Sequence, residues 1–230
     1  MFWLTCLKIY VVIYINGKKD SIPITALTFM PRPNWFFQLL LVFMITLSPI
    51  SGTPHPHVFI SQRTGFVFDD QGLAGFRVNW TFDEMFSVMI SEDFDSDHNQ
   101  VLDAGEVAVI REKAFGYIAP YNYYIHVRID DKPFDVKFIK TFNAWLDNGI
   151  VCYEFFIPCH VSAADTPKQV VLSPYDPEYY SDIYFPDKTP LNMENADAFS
   201  TRIETARDQS TLIYYDTVNP MAIFLSFKRK

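Results

Sequence analysis

HVFISQRTGFVF (57–68), DDQG (69–72) and LAGFRVNWTF (73–82) decide the fold. Both longer runs alternate apolar and polar residues and are rich in aromatic and β-branched side chains, as half-buried strands are. The four residues between them are turn formers, so the pair reads as a hairpin in which Gly72 supplies a positive φ. Immediately beyond it the period changes. Phe82, Met85, Phe86, Met89 and Ile90 recur at helical spacing, and Val107, Ile110 and Ala114 do so again after an acidic stretch. Outward from there the strand signature returns. Residues 121–129 and 134–139 flank Asp130-Asp131-Lys132-Pro133 as a second hairpin, and 150–157, 169–173, 181–185, 211–215 and 222–227 are further candidate strands. Residues 158–168 and 186–197 read as long loops, and there is no internal repeat or low-complexity tract. The expectation is one mainly β, sandwich-like domain over 53–230 with an EF-hand-like helix–loop–helix inserted at 83–116, α+β overall.

The acidic stretch is Asp95-Ser96-Asp97-His98-Asn99-Gln100-Val101-Leu102-Asp103-Ala104-Gly105-Glu106. As a twelve-residue calcium loop it places Asp95, Asp97 and Asn99 at positions 1, 3 and 5 and the Val101 carbonyl at 7. Asp103 stands at 9, holding a water, and a bidentate Glu106 at 12. Leu102 is apolar, as an anchor to the core must be. Position 6, ordinarily glycine because the chain turns there with φ > 0, is Gln100, which costs roughly 1–2 kcal/mol and weakens binding without abolishing it. The competing reading is a solvated acidic turn that caps the next helix. A lone loop of this kind outside the cell is filled constantly at millimolar calcium, so its expected role is structural.

His55-Pro56-His57 is a second signal. Proline keeps the backbone extended, and residues two apart on an extended strand face one side, so both imidazoles could meet one transition metal: nickel, cobalt, zinc or copper. Only half a site is visible, with His126 and His160 as further candidates. The alternative is that each His is hydrogen-bonded within the fold. Pro54 excludes an amino-terminal chelate through His55, because its nitrogen has no hydrogen to lose. Asp176-Pro177-Glu178-Tyr179-Tyr180 reads as a turn that returns tyrosines to the core, and Asp83 and Glu84 as the start of a helix. Cys152 and Cys159 lie seven apart, on opposite faces of a straight strand and roughly 23 Å from each other, so a disulfide needs a bend at Pro158.

Residues 30–52 have the pattern of a secretory signal: Arg32, an apolar run from Trp35 to Leu47, then small residues up to Gly52. The run is short for a membrane span, which needs about 20 residues, though a retained anchor is the alternative. Residues 1–29 read as translation from a start codon set too early, or else as a short membrane segment interrupted by Lys8. Removing 1–52 takes away four basic residues and one acidic one, so a chain with a formal charge of −8 becomes three charges more negative. That balance disfavours nucleic acid and favours cations as ligands. No phosphate loop, nucleophile elbow or His-Glu-x-x-His motif occurs, and an enzyme is not expected.

His55-Pro56-His57-Val58-Phe59-Ile60, Trp80-Thr81-Phe82-Asp83-Glu84-Met85-Phe86-Ser87, the acidic loop and Tyr175-Asp176-Pro177-Glu178-Tyr179-Tyr180, in that order, resemble the domain of unknown function 1007 family. The resemblance implies an exported, periplasmic component of an uncharacterised ABC-type transport system, associated with nickel, cobalt or zinc transport and without established catalysis. It makes metal ions and a membrane transporter the expected partners. A β-rich chain of this length fits an accessory metal-handling role better than a two-lobed solute receptor. The alternative is a calcium-stabilised extracellular structural or adhesive module.

Overall fold

The protein was analysed as a computed structural model that describes residues 9–15, 18–24, 56–187 and 191–230. The chain divides into two compact units, Met1–Gly52 and Thr53–Lys230. In the first, β1 (Ile9–Ile15) and β2 (Lys18–Ile24) form an antiparallel hairpin. The expected secretory segment at 30–52 lies outside the described residues. Among the described residues no helix is long and apolar enough to cross a membrane.

The second unit is mainly β. It opens with β3 (Val58–Phe68) and β4 (Gly72–Phe82), continues through helices α1 (Glu84–Phe94) and α2 (Ala104–Lys113), and follows them with a 3-10 segment at Phe115–Tyr124. Next come β5 (Ile125–Ile129), β6 (Lys132–Phe134), β7 (Thr141–Asp147), β8 (Ile150–Ser162) and β9 (Lys168–Pro174). The chain finishes with β10 (Ser181–Tyr184), β11 (Leu191–Glu194), β12 (Phe199–Arg207) and β13 (Met221–Arg229).

These strands make two sheets. One has the order β10-β3-β4-β8-β7, with β11 also lying beside β3; the other has the order β12-β13-β9-β5-β6. All neighbours are antiparallel except β10 and β11, which run parallel to successive halves of β3. The inward residues of both sheets join one hydrophobic core, where Phe68 of the first meets Phe199 and Phe227 of the second at 5.1 and 5.3 Å. The polar Gln62 is wholly enclosed in that core yet satisfied, since its Oε1 accepts from Trp80 Nε1 at 2.8 Å and its Nε2 donates to Thr64.

The β3–β4 hairpin forms as expected with a positive φ at Gly72, and close approach gives Gly72 a second reason to be glycine. Its φ is 158°, and a Cβ there would come within 2.2 Å of the Val161 carbonyl oxygen, so it also allows close approach to β8. Asp69 makes the turn by accepting from the amides of Gln71 and Gly72. In the second hairpin Asp130 and Asp131 both adopt positive φ, 47° and 62°, as a two-residue hairpin turn requires. Two expected strand limits fail there. Residues 121–124 belong to the 3-10 segment, and 135–139 leave the sheet after Phe134.

Candidate metal centre

Helix α1 begins at Asp83, whose carboxylate accepts from Phe86 N, and ends at Asp95, the first residue of the acidic loop. Asp95 is only 2% exposed, and its two oxygens accept from the amides of Asn99 (3.2 Å) and Gln100 (2.8 Å), so the loop is wound around this carboxylate. Asp97 accepts from Asn99 N and Nδ2, and Asn99 Oδ1 accepts from Val101 N at 2.7 Å. Gln100 has φ 62° and His98 φ 55°, both left-handed. Leu102 then drops into the hydrophobic core and anchors the loop.

Asp103 caps α2. Its Oδ1 accepts from Gly105 N (2.7 Å) and Glu106 N (2.9 Å), and Glu106 Oε2 accepts from Asp103 N in return, completing a capping box. The other Glu106 oxygen reaches ten residues back and accepts from Ser96 N (2.7 Å) and Ser96 Oγ (2.8 Å). The Asp103 amide and then the Ser96 hydroxyl and amide hold the Glu106 carboxyl below its ordinary pKa, so it stays charged.

One carboxylate oxygen each from Asp95, Asp97 and Glu106 lie within 4.8 Å of one another, the arrangement of three such groups that could hold a cation among the described residues. Asp103 stands outside that group. The capping turn weighed from the sequence is thus present, but it accounts only for Asp103 and part of Glu106. Asp95 is held by the Asn99 and Gln100 amides, so each of these carboxylates also has a partner within the loop.

The histidine pair is divided. His55 lies outside the described residues, while exposed His57 donates its backbone N–H to Tyr180 O (2.8 Å) and sets its ring 5.1 Å from that of Tyr180. His126 stacks on Tyr175 at 3.7 Å with Nε2 3.1 Å from the Tyr175 carbonyl, and burial lowers its pKa, which keeps it neutral. Neither His126 nor His160 joins His57 in a three-ligand group among the described residues. Cys152 and Cys159 are free thiols on one strand, β8. Burial raises both, Cys159 to about 12, so neither is a poised nucleophile.

Two features carried weaker sequence signals. Asp176 is 1% exposed and accepts from the amides of Glu178, Tyr180 and Ser181, so the Asp-Pro turn is built around a buried carboxylate. Its signal was the Asp-Pro pair itself. Arg128 and Asp208 pair at 2.7 Å across eighty residues, a contact that no local pattern announces.

A model for a family described as "Protein of unknown function (DUF1007)" matches residues 40–220. An uncharacterized 15.5 kDa protein encoded in the trpE 3′ region of Spirochaeta aurantia is 25% identical over 136 residues, 59% of this chain and 96% of that protein. An uncharacterized protein of Haemophilus influenzae is 23% identical over 159 residues, 68% of this chain and 73% of its own length. No solved structure matches.

Proposed function

The chain belongs to the DUF1007 family, and from that premise we propose that it is an exported, non-enzymatic metal-handling accessory protein whose acidic loop binds one calcium ion and thereby rigidifies the fold. The observation that carries the calcium reading is the convergence of Asp95, Asp97 and Glu106 in a loop whose sixth position, Gln100, already holds the turn conformation. In this EF-hand-like reading Asn99 and the Val101 carbonyl complete the direct shell. Asp103, engaged with the α2 amides, acts through water. Glu106 exchanges its Ser96 and Asp103 contacts for bidentate ligation.

A ligand held only by the native state adds RT ln(1 + [L]/Kd), so calcium at about 100 times Kd stabilises by roughly 2.7 kcal/mol. Melting of the chain at millimolar calcium should therefore move upward relative to a chelated sample. Glu106→Gln should remove most of that shift while the calcium-free protein still folds, and Gln100→Gly should strengthen binding by relieving the positive φ. A melting temperature indifferent to calcium rejects the reading.

The link to nickel, cobalt, zinc or copper transport rests on the family resemblance and on exposed His57. Equilibrium dialysis against each metal, with a His55→Ala/His57→Ala double variant as control, tests it. Equal retention by both proteins removes the transport link and leaves the calcium-stabilised structural module.

A further inference from the structure

Strand β12 forms one edge of the second sheet, and among the described residues no strand lies beyond it. It reads FSTRIETAR, with Phe199 buried, Ile203 half-buried and the other side chains exposed. Just outside its two ends Asp208 N donates to Pro220 O and Lys230 N donates to Ala198 O, in the same unbroken register that pairs β12 with β13. Bonded pairs alternate along an antiparallel ladder, so the even-numbered residues of β12 turn their backbone groups to β13. Thr201, Ile203 and Thr205 therefore present N–H and C=O outward. We infer that this edge pairs with the same edge of a second copy of the chain, antiparallel and centred on Ile203.

The order of the side chains selects both the partner and the register. About a two-fold axis at Ile203, Arg202 lies across from the partner subunit's Glu204, and the axis repeats that pair with the roles exchanged. Thr201, Ile203 and Thr205 supply the backbone hydrogen bonds. The two Arg–Glu pairs fall at the intervening positions, where opposed Cα atoms are only about 4.5 Å apart. Other registers lose this match. An axis at Arg202 or at Glu204 opposes like charges, one at Thr201 sets Arg202 against Ser200, and one at Thr205 sets Glu204 against Ala206. Charges on an edge strand ordinarily discourage pairing; in this order they oppose the neighbouring registers and favour one. Both side chains are accessible for it, 82% and 55% exposed and joined to each other at 3.2 Å. On the other side of the ribbon Ile203, packed against the core, meets its own copy and puts an apolar contact on the axis. A pair of strands covers little area beside a stable interface, so the dimer is a weak one. None of these residues belongs to the acidic loop, and the inference stands apart from the calcium reading.

Sedimentation equilibrium of the full chain over the micromolar to millimolar range measures the association, and wild type should form a reversible dimer. Arg202→Glu and Glu204→Arg each set like charges across the axis twice, and each should weaken the dimer about tenfold. The changed side chains are exposed, so both variants should fold as wild type does. An equimolar mixture of the two should recover the dimer, because every Glu of one chain then faces an Arg of the other. The Arg202→Glu/Glu204→Arg double variant should recover it as well, with the signs of both pairs reversed. A wild type that stays monomeric throughout overturns the proposal. So does a dimer that either single variant leaves unchanged, or one that neither the mixture nor the double variant recovers.

Discussion

Asp208 shows how a single carboxylate can set the acid limit of this protein. It is 2% exposed and accepts from Arg128 Nη1 (2.7 Å), Thr211 Oγ1 (2.6 Å), Ser210 Oγ (2.7 Å) and Ser210 N (3.1 Å). Burial alone would raise its pKa, but the Arg128 guanidinium and the hydroxyl donors outweigh burial and hold it well below the ordinary 3.8. A folded value below the unfolded one means that its stabilisation is complete above 3.8 and drains away as pH falls toward the folded value. Asp208→Asn keeps the shape but leaves Arg128, one quarter exposed, without its counter-charge. We expect a loss of about 3 kcal/mol at pH 7. Below the ordinary carboxylate range the gap between wild type and variant should narrow by about 1.4 kcal/mol per pH unit. Urea unfolding at pH 7, 4, 3 and 2 measures it, and a constant gap refutes the assignment. Glu106 obeys the same sign, so on the proposed calcium reading acid should also weaken binding as Glu106 protonates. At this scale two local expectations were legible, the positive φ at Gln100 and the burial of Leu102, because each depends on its immediate neighbours. The Arg128–Asp208 pair was not, because its two halves meet only once the second sheet is assembled.

Elements were legible where one face is buried. Strands β3, β4, β8, β9 and β13 alternate or run apolar because one or both faces meet the core; the limits of all but β8 were close, and β8 runs on past Ile157 to Ser162, into the stretch read as a loop. β12 was missed because only Phe199 is buried along its nine residues; it is an edge strand wet on both faces, held by backbone pairing to β13. β7 and β11 are edges too, and β11 pairs with β3 through four residues only. The candidate strand at 211–215 is instead a turn, with an isolated Ile213–Val218 bridge and positive φ at Tyr214 and Tyr215. For α1 the helical period was read correctly and the face only in part: Phe82, Phe86 and Ile90 turn to the core, but the methionines do not. Met85 and Met89 are 69% and 47% exposed, whereas Ser87 and Ile90 are buried. Ser87 is inward because its hydroxyl joins the helix to the sheet. It accepts from Val151 N on β8 (2.9 Å) and donates to the Asp83 carbonyl (2.6 Å). Ser87→Ala would strand the Val151 amide in a dry contact, at a cost of about 1–3 kcal/mol. Chemical denaturation quantifies this, and a variant within 0.5 kcal/mol (about the size of an ordinary surface change) shows that the bridge does not hold α1 down. Ser87→Thr retains the hydroxyl and should recover part of the loss.

At the scale of the second unit, the hydrophobic core runs from Val58 to Phe227. Stability follows apolar area withdrawn from water, and here that area belongs to the two sheets and the helical segment between β4 and β5. The two ends of the second unit are not equivalent. β13 lies between β12 and β9, paired on both sides, and buries Ala222, Ile223, Leu225 and Phe227, so the last strand in sequence is central in space. Deleting 221–229 would open the second sheet and strip several fully buried side chains from the core, each worth about 1.5–3 kcal/mol of burial. For Ile223, Leu225 and Phe227 together that is about 4.5–9 kcal/mol, which with the lost strand pairing is comparable to the roughly 5–15 kcal/mol by which domains are ordinarily stable. A chain beginning at Thr53, by contrast, keeps every member of the core. It should unfold in one cooperative urea transition, with a β-dominated far-UV spectrum and the calcium response of the full chain, while the chain lacking 221–229 should show no transition. If the chain from Thr53 also lacks a cooperative transition, residues 1–52 supply part of the fold and the core described here is incomplete.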